Sequence, residues 1–312
     1  MSILKLGSKG PAVQVLEKKL KAQGHLKGPV DATFDARTAD AVVAYKTKNG
    51  WEDPKPKVGA KMAAALNLPS SGKSQTPTTM KGASYNCRIG RPPAIVARTV
   101  SQFAHRRKLD FIQLQEISGY HDALKKIPGY KLISFRGSKD HGETGVLVRK
   151  DIDAKFAQSI EADTGWTNDR GGVAQPRAAT SVRVAGWLRV ASVHAPPGID
   201  WVNGRPVGGE ARIKSYQSLT KKLLASAQRQ AERNPELGML IGGDWNEGAV
   251  TGGPGSPAWL AAKGGMKKHP TGGIDWEMSR GVKLTDLKRG PKGGSDHPLI
   301  TFTVSRPRSS HS

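Results

Sequence analysis

The chain has 312 residues, 37% of them hydrophobic, and carries 49 Lys and Arg against 26 Asp and Glu, a formal charge of +23 at pH 7. No run of about 18 apolar residues occurs, which excludes a long apolar membrane-spanning helix. The single cysteine, Cys87, excludes an internal disulfide and a cysteine-based zinc cluster, and its place in an apparent strand reads as a buried, inert thiol.

The charge is spread along the chain. Residues 1–79 hold 13 basic and 6 acidic side chains and the remainder 36 and 20, so the two parts carry +7 and +16. Such a field attracts polyanions, whether nucleic acid, teichoic acid or anionic lipid, and the alternative is a purely solubilising role. The opening MSILKLGSKG lacks a basic stretch followed by an apolar core, so the expectation is a protein without a secretory signal, cytoplasmic at synthesis.

In chain order, Val13, Leu16 and Leu20 form an apolar stripe at helical spacing that Gly24 stops. Thr38, Ala41, Val42 and Tyr45 predict a second helix ending near Asn49-Gly50, and Ala63, Ala64, Leu66 and Leu68 a short third one. Residues 1–69 therefore read as a small three-helix domain. The segment SSGKSQTPTT, residues 70–79, has no apolar periodicity and a linker composition, which puts the domain boundary there.

From residue 80 to 312 short apolar runs alternate with amphipathic helices. FIQLQ (111–115), GVLVR (145–149), SVRV (181–184), LRVASVHA (188–195) and GMLIGGD (238–244) read as buried strands. Ile95, Val96, Val100 and Phe103 fit one helix, and Ile213, Tyr216, Leu219, Leu223 and Leu224 another. The alternation predicts an α/β domain. His105-Arg106-Arg107-Lys108 ends the first of those helices, where basic side chains complement the helix dipole. The Gly/Pro-rich stretch 196–212 reads as a loop. Trp166 and Trp201, expected in loops, either stack on a base or sugar or cover core.

Polar residues stand where the apolar runs end, the usual location of ligand sites in α/β folds. They are Asn86, Glu116, His194, Asp244, Asn246, Asp275, Asp296 and His297. Glu116, Asp244, Asp296 and Asn86 offer hard oxygen ligands suited to Mg²⁺ or Mn²⁺. Two histidines and further carboxylates supply proton transfer and orientation. Phosphodiester hydrolysis needs that combination: a cation against the developing charge, a base for water and a donor for the leaving oxygen.

Two resemblances sharpen this. GSKGPAVQVLEKKL, VDATFDARTADAVVAYKTKNGW and VGAKMAAAL resemble the peptidoglycan-binding domain often attached to cell-wall hydrolases, with Asp31-Ala32-Thr33-Phe34-Asp35 at its turn. Over nearly all of residues 80–303, SYNCR, LQE, GGDWNE, a late Ile-Asp and Ser295-Asp296-His297-Pro298 follow an order that closely resembles the endonuclease/exonuclease/phosphatase superfamily. That resemblance implies a four-layered α/β/β/α sandwich. It also implies a principal metal site of Glu116 and Asn86, with Asp296 a carboxylate near the metal. Asp244 would orient or activate water, Asn246 contact the scissile phosphate, and His297 act as the catalytic histidine held by Asp275. Asp275-Trp276 stands where the family has Asp-Tyr.

Glu143, leading into TGVLVR with Arg149 six residues on, and His194 match the second histidine–glutamate pair of secreted deoxyribonucleases. Arg177, in AQPRAA, matches an arginine that contacts substrate phosphate there; the other reading is an exposed charge at a strand edge. The expectation is a monomeric, Mg²⁺- or Mn²⁺-dependent DNA endonuclease with a wall-binding module on residues 1–69 and no membrane partner. Such a protein suits a bacteriophage or bacterium and would be associated with the virion or cell wall after release. The alternatives are a phosphatase or lipid phosphodiesterase of the same superfamily, or a non-catalytic wall-binding or virion structural protein.

Overall fold

The computed structural model describes residues 4–51, 55–66, 68, 77–135, 142–162, 177–248 and 252–306. The chain forms two compact units, Met1–Gln75 and Thr76–Ser312. Most of the expected linker, residues 70–76, lies outside the described residues. Its last part belongs to the second unit instead: the Pro77 carbonyl accepts from Trp187 Nε1 and the Thr78 carbonyl from the Arg306 amide.

In the first unit, α1 (Pro11–Ala22), α2 (Ala36–Lys48) and α3 (Ala60–Ala65) surround a small core, beside a two-stranded ribbon of β1 (Leu4–Lys5) and β2 (Lys57–Val58). The predicted stripe is the buried one: Val13, Leu16, Leu20, Val42 and Tyr45 pack with Phe34, Met62 and Leu66. Asp35 caps α2 by accepting from the Thr38 amide, which satisfies an otherwise orphaned helix donor. The fully buried Glu17 accepts from the Ala32 amide and the Thr38 hydroxyl, fixing the intervening turn on α1.

The second unit is built on two six-stranded sheets. The first contains β3 (Thr79–Asn86), β4 (Phe111–Gln115), β5 (Tyr130–Ser134), β6 (Thr144–Arg149), β15 (Lys283–Arg289) and β16 (Ile300–Ser305), in the order β15-β16-β3-β4-β6-β5. The second contains β7 (Ala154–Glu161), β8 (Ala178–Val184), β9 (Leu188–His194), β12 (Gly238–Asp244), β13 (Lys267–His269) and β14 (Asp275–Arg280), in the order β13-β14-β12-β9-β8-β7. Helices α4 (Pro93–Arg106) and α5 (His121–Lys125) cover the first sheet; α6 (Glu210–Arg233) and α7 (Pro257–Lys263) cover the second. These are the four layers of an α/β/β/α sandwich.

Strand alternation explains the layering. In β4, Ile112 and Leu114 face the helices with Val96, Val100 and Leu147. Phe111 points to the other sheet, into a seam with Val146, Val182, Val190, Leu240 and Phe302. Full burial of each such side chain contributes about 1.5–3 kcal/mol relative to exposure. Towards one end of the sandwich the seam turns polar. There Gln115 donates to Ser84 and Ser192, the Thr144 and Thr180 hydroxyls pair at 2.8 Å, and Gln113 donates to the Ala191 carbonyl.

The stretch 196–212 is not the loop its composition predicts. Strands β10 (Ile199–Val202) and β11 (Arg205–Gly208) form a hairpin around Asn203-Gly204, both at positive φ (49° and 75°). A type I′ turn demands that of both central residues. Trp201 is correspondingly buried, edge-on to Tyr216 at 5.9 Å, so it covers core and is closed to stacking with a base. Trp166 lies outside the described residues. Cys87 is buried at the end of β3, where desolvation pushes its thiol up, in line with an inert role.

Candidate active site

The polar end of the seam is where β3 and β4, a parallel pair, and β9 and β12, another, finish, and where β6, β8, β14 and β16 begin. Asn86, His194 and Asp244 are the last residues of their strands, and Glu116 follows β4 directly. Glu143 and Arg177 immediately precede β6 and β8, Asp275 opens β14, and Asp296 and His297 lie in the loop before β16.

Two backbone features aim these groups. Glu116 and Asn246 sit at φ 52° and 51°, a left-handed conformation that costs a non-glycine residue of order 1 kcal/mol and occurs at sites where it redirects a side chain. In the run Gly242-Gly243-Asp244 both glycines are sterically required. A Cβ on Gly242 would collide with the Glu277 carboxyl, and one on Gly243 with the Val193 carbonyl. Beyond Asp244, Trp245 turns inward, donates from Nε1 to the Trp276 carbonyl and receives the Tyr216 hydroxyl on its own carbonyl. Trp276 in turn donates from Nε1 to the Glu247 carbonyl, so the Asp-Trp pair is fully accommodated.

Asn86 Nδ2 donates to Asp244 Oδ2 at 2.9 Å and to Glu116 Oε1 at 3.2 Å, while its Oδ1 accepts from the Arg88 amide. Asn86 therefore links the two carboxylates by its amide nitrogen. The second Glu116 oxygen accepts from the Ile89 amide at 2.6 Å. Asn246 donates its amide to Asp244 Oδ1 and its side chain to the Ala195 carbonyl.

His297 Nδ1 donates to Asp275 (2.8 and 2.9 Å), and its Nε2 lies 3.7 Å from Asp244 Oδ2. His194 Nδ1 donates to Glu143 at 2.9 Å, and its Nε2 lies 3.6 Å from the same Asp244 oxygen and 3.7 Å from Glu116. Arg177 Nη1 donates to both Glu143 oxygens at 2.8 and 2.9 Å. Thus Arg177 is not an exposed strand-edge charge; it is tied to the His194–Glu143 pair. Asp296 is exposed and is hydrogen-bonded only by Ser295 among the described residues; it contributes charge beside His297 and no ligand atom to either convergent group.

Burial alone would push the His297 pKa down. The hydrogen bond to Asp275 and the charges of Asp244, Asp275 and Asp296 outweigh it and raise it to about 9. Burial pushes the Asp275 carboxyl up, against the pull of His297. Burial also pushes Glu143 up, but facing His194 and Arg177 it is held below the ordinary carboxylate range.

Glu116, His194 and Asp244 offer ligand atoms within 4.8 Å of one another, as do Asp244, Asp275 and His297. The Glu116 and Asp244 carboxylates converge on one amide group, an arrangement of anions that a divalent cation stabilises.

The fold has known counterparts. An endonuclease/exonuclease/phosphatase family protein from Bacteroides thetaiotaomicron superimposes with a TM-score of 0.51 at 14% identity, covering 75% of this chain and 97% of that one. Another from Bacteroides vulgatus gives 0.51 at 18%, covering 74% and 100%. The second unit has the endonuclease/exonuclease/phosphatase fold. Residues 9–66 match the peptidoglycan binding domain family model. No curated protein matches this sequence.

Sequence reasoning missed the supports of the His297 loop. Tyr85 donates its hydroxyl to the Lys292 carbonyl, and Arg91 donates to the carbonyls of Gly293 and Cys87. Tyr85 stands in the quoted SYNCR motif, but nothing in the spacing singles out Arg91. Among the described residues no helix is long and apolar enough to cross a membrane.

Proposed function

We propose that the second unit is a Mg²⁺- or Mn²⁺-dependent phosphodiesterase that cleaves DNA endonucleolytically, and that the first unit carries it to peptidoglycan. The observation that carries the reading is the convergence of two histidine–carboxylate pairs on Asp244 Oδ2, beside Glu116. Glu116 and Asp244, linked by Asn86, would hold the metal, whose chemistry is Lewis-acid neutralisation of charge on a phosphate oxygen. Asp244, fixed by the Asn246 and Asn86 N–H groups, accepts the proton of the attacking water.

Because neighbouring carboxylates keep His297 charged to about pH 9, it offsets negative charge on the phosphorane-like transition state, and the base role falls to Asp244. His194, its ring fixed through Nδ1 by Glu143, presents Nε2 for proton transfer to the leaving oxygen. Asn246 keeps one side-chain N–H for the phosphate after bonding Ala195. The +23 chain favours a polyanionic substrate. A wall-binding module on such an enzyme suits a bacteriophage or bacterial protein that meets both envelope and DNA, since tethering raises local concentration.

The test is nicking of supercoiled plasmid with Mg²⁺, Mn²⁺ or EDTA, alongside Glu116→Ala, sphingomyelin and inositol phosphates, with pull-down by purified cell walls. Metal-dependent nicking lost in the variant supports the reading. Turnover of lipid or inositol phosphate without DNA cleavage moves it to those substrates. Folded protein that turns over nothing, yet binds walls, leaves a binding protein.

A further inference from the structure

Resting on the phosphodiesterase reading, we propose that Arg289 binds the phosphate next to the scissile one, on the His297 side, and so selects a polynucleotide over an isolated phosphodiester. Arg289 closes β15 at the site end of the first sheet, paired in register with Ile300, three residues beyond His297. Its Nη1 donates to the carbonyls of Thr271 (3.4 Å) and Gly272 (3.1 Å), in the loop that leads into Asp275 on the second sheet. The guanidinium thus reaches from one sheet to the loop of the other, beside the His297–Asp275 pair.

Three features suit it to a phosphate. Among the described residues Arg289 is exposed, forms no salt bridge, and hydrogen-bonds only through Nη1, which leaves Nε and Nη2 for a ligand. Arg177, the arginine that the resemblance assigns to substrate, has Nη1 bonded to Glu143. The loop beneath Arg289 is glycine at 272 and 273, so no side chain from those two positions stands over the guanidinium. A guanidinium is charged at any working pH and its planar fork matches phosphate oxygens. A purely structural Arg289 would be a strut for the 271–274 loop.

The experiment compares wild type with Arg289→Ala and Arg289→Lys in two ways. One is kcat/KM on a single-stranded oligonucleotide and on bis(p-nitrophenyl) phosphate, which has one phosphate. The other is the salt dependence of oligonucleotide binding, read by fluorescence anisotropy in EDTA without turnover. Losing a charge-assisted contact should lower kcat/KM on the oligonucleotide about tenfold more than on the small diester. The slope of log K against log salt should fall by roughly 0.7, one single-strand phosphate contact. Arg289→Lys should keep most of the slope and recover part of the selectivity. Equal losses on both substrates, or an unchanged slope, would make Arg289 a strut and overturn the proposal. Wild type that cleaves neither substrate in either metal would overturn the phosphodiesterase reading, while the slope alone still decides whether Arg289 meets a polyanion.

Discussion

His194 and His297, carried by different sheets, bring their Nε2 atoms to 3.6 and 3.7 Å from one oxygen, Oδ2 of Asp244. Each is held through Nδ1 by a carboxylate, yet the two are electrostatically unlike. Glu143 divides its charge between His194 and the Arg177 guanidinium. Asp275 forms no salt bridge with an arginine among the described residues, and His297 also faces the charges of Asp244 and Asp296. Similar pairs in unlike fields are how one site obtains an acid and a charge partner.

Glu116→Gln keeps the shape of the side chain and removes its charge. In Mg²⁺ it should lower kcat on DNA about 10³-fold. It should also abolish the rise in Tm that Mn²⁺ gives the wild type, because only ligand that binds the folded state stabilises it. A variant that still gains Tm with Mn²⁺ would move the metal to the Asp244–Asp275–His297 group.

His297 gives a stability signature in EDTA. Its folded pKa of about 9 lies above the ordinary histidine value of 6.5, so its contribution is full below pH 6.5 and is lost as pH rises through 9. The difference is about 3 kcal/mol. Urea midpoints of wild type and His297→Gln should therefore converge between pH 6.5 and 9. A constant gap across that range would mean that His297 is not held charged.

Much of this was legible because strand-end polar residues announce themselves: Glu116 after FIQLQ and Asp244 after MLIGG need only the rule that sites collect where parallel strands finish. Partner choice is not in such a pattern. That Arg177 bonds Glu143, and that Asn86 turns its nitrogen to two carboxylates, depend on residues 34 and 158 positions apart. The hairpin at 199–208 was legible and passed over: Asn203-Gly204 is a strong turn signal, and Ile199 and Trp201 alternate inward. Its glycines and prolines masked that alternation. Arg289 has no sequence signature, lying in a basic run, Lys288-Arg289-Gly290-Pro291-Lys292, that reads as ordinary solvated charge.

Glu277 is fully buried between the sheets, and desolvation drives its carboxyl well above the ordinary range. A carboxyl with a raised folded pKa imposes a cost that grows as pH rises above its unfolded value. Gln113 donates to one Glu277 oxygen at 3.4 Å, while the other oxygen and Gln113 Oε1 have no hydrogen-bond partner among the described residues. Glu277→Gln supplies a permanent donor of the same shape, so the variant should be more stable than wild type at pH 7 and equal to it near pH 4. A loss of stability at pH 7 would show that the buried group is ionised and charge-paired.

Glu143 and Arg177 separate two roles for the arginine. Their side chains are 4% and 18% exposed, so Glu143→Gln leaves a half-enclosed guanidinium and a buried His194 without their counter-charge. That change should cost about 3–5 kcal/mol in urea unfolding. Arg177→Ala leaves Glu143 with His194 and should cost less, about 1–3 kcal/mol. Because the depressed Glu143 pKa contributes stability that is full above its unfolded value and is lost as pH falls through the folded one, the deficit of Arg177→Ala should shrink as pH falls below about 4.5. In cleavage assays, an Arg177 that acts through Glu143 should lower kcat in step with Glu143→Gln and leave KM for DNA nearly unaltered. A rise in KM for Arg177→Ala that Glu143→Gln does not share would instead make Arg177 a direct phosphate contact, released from Glu143 when substrate binds.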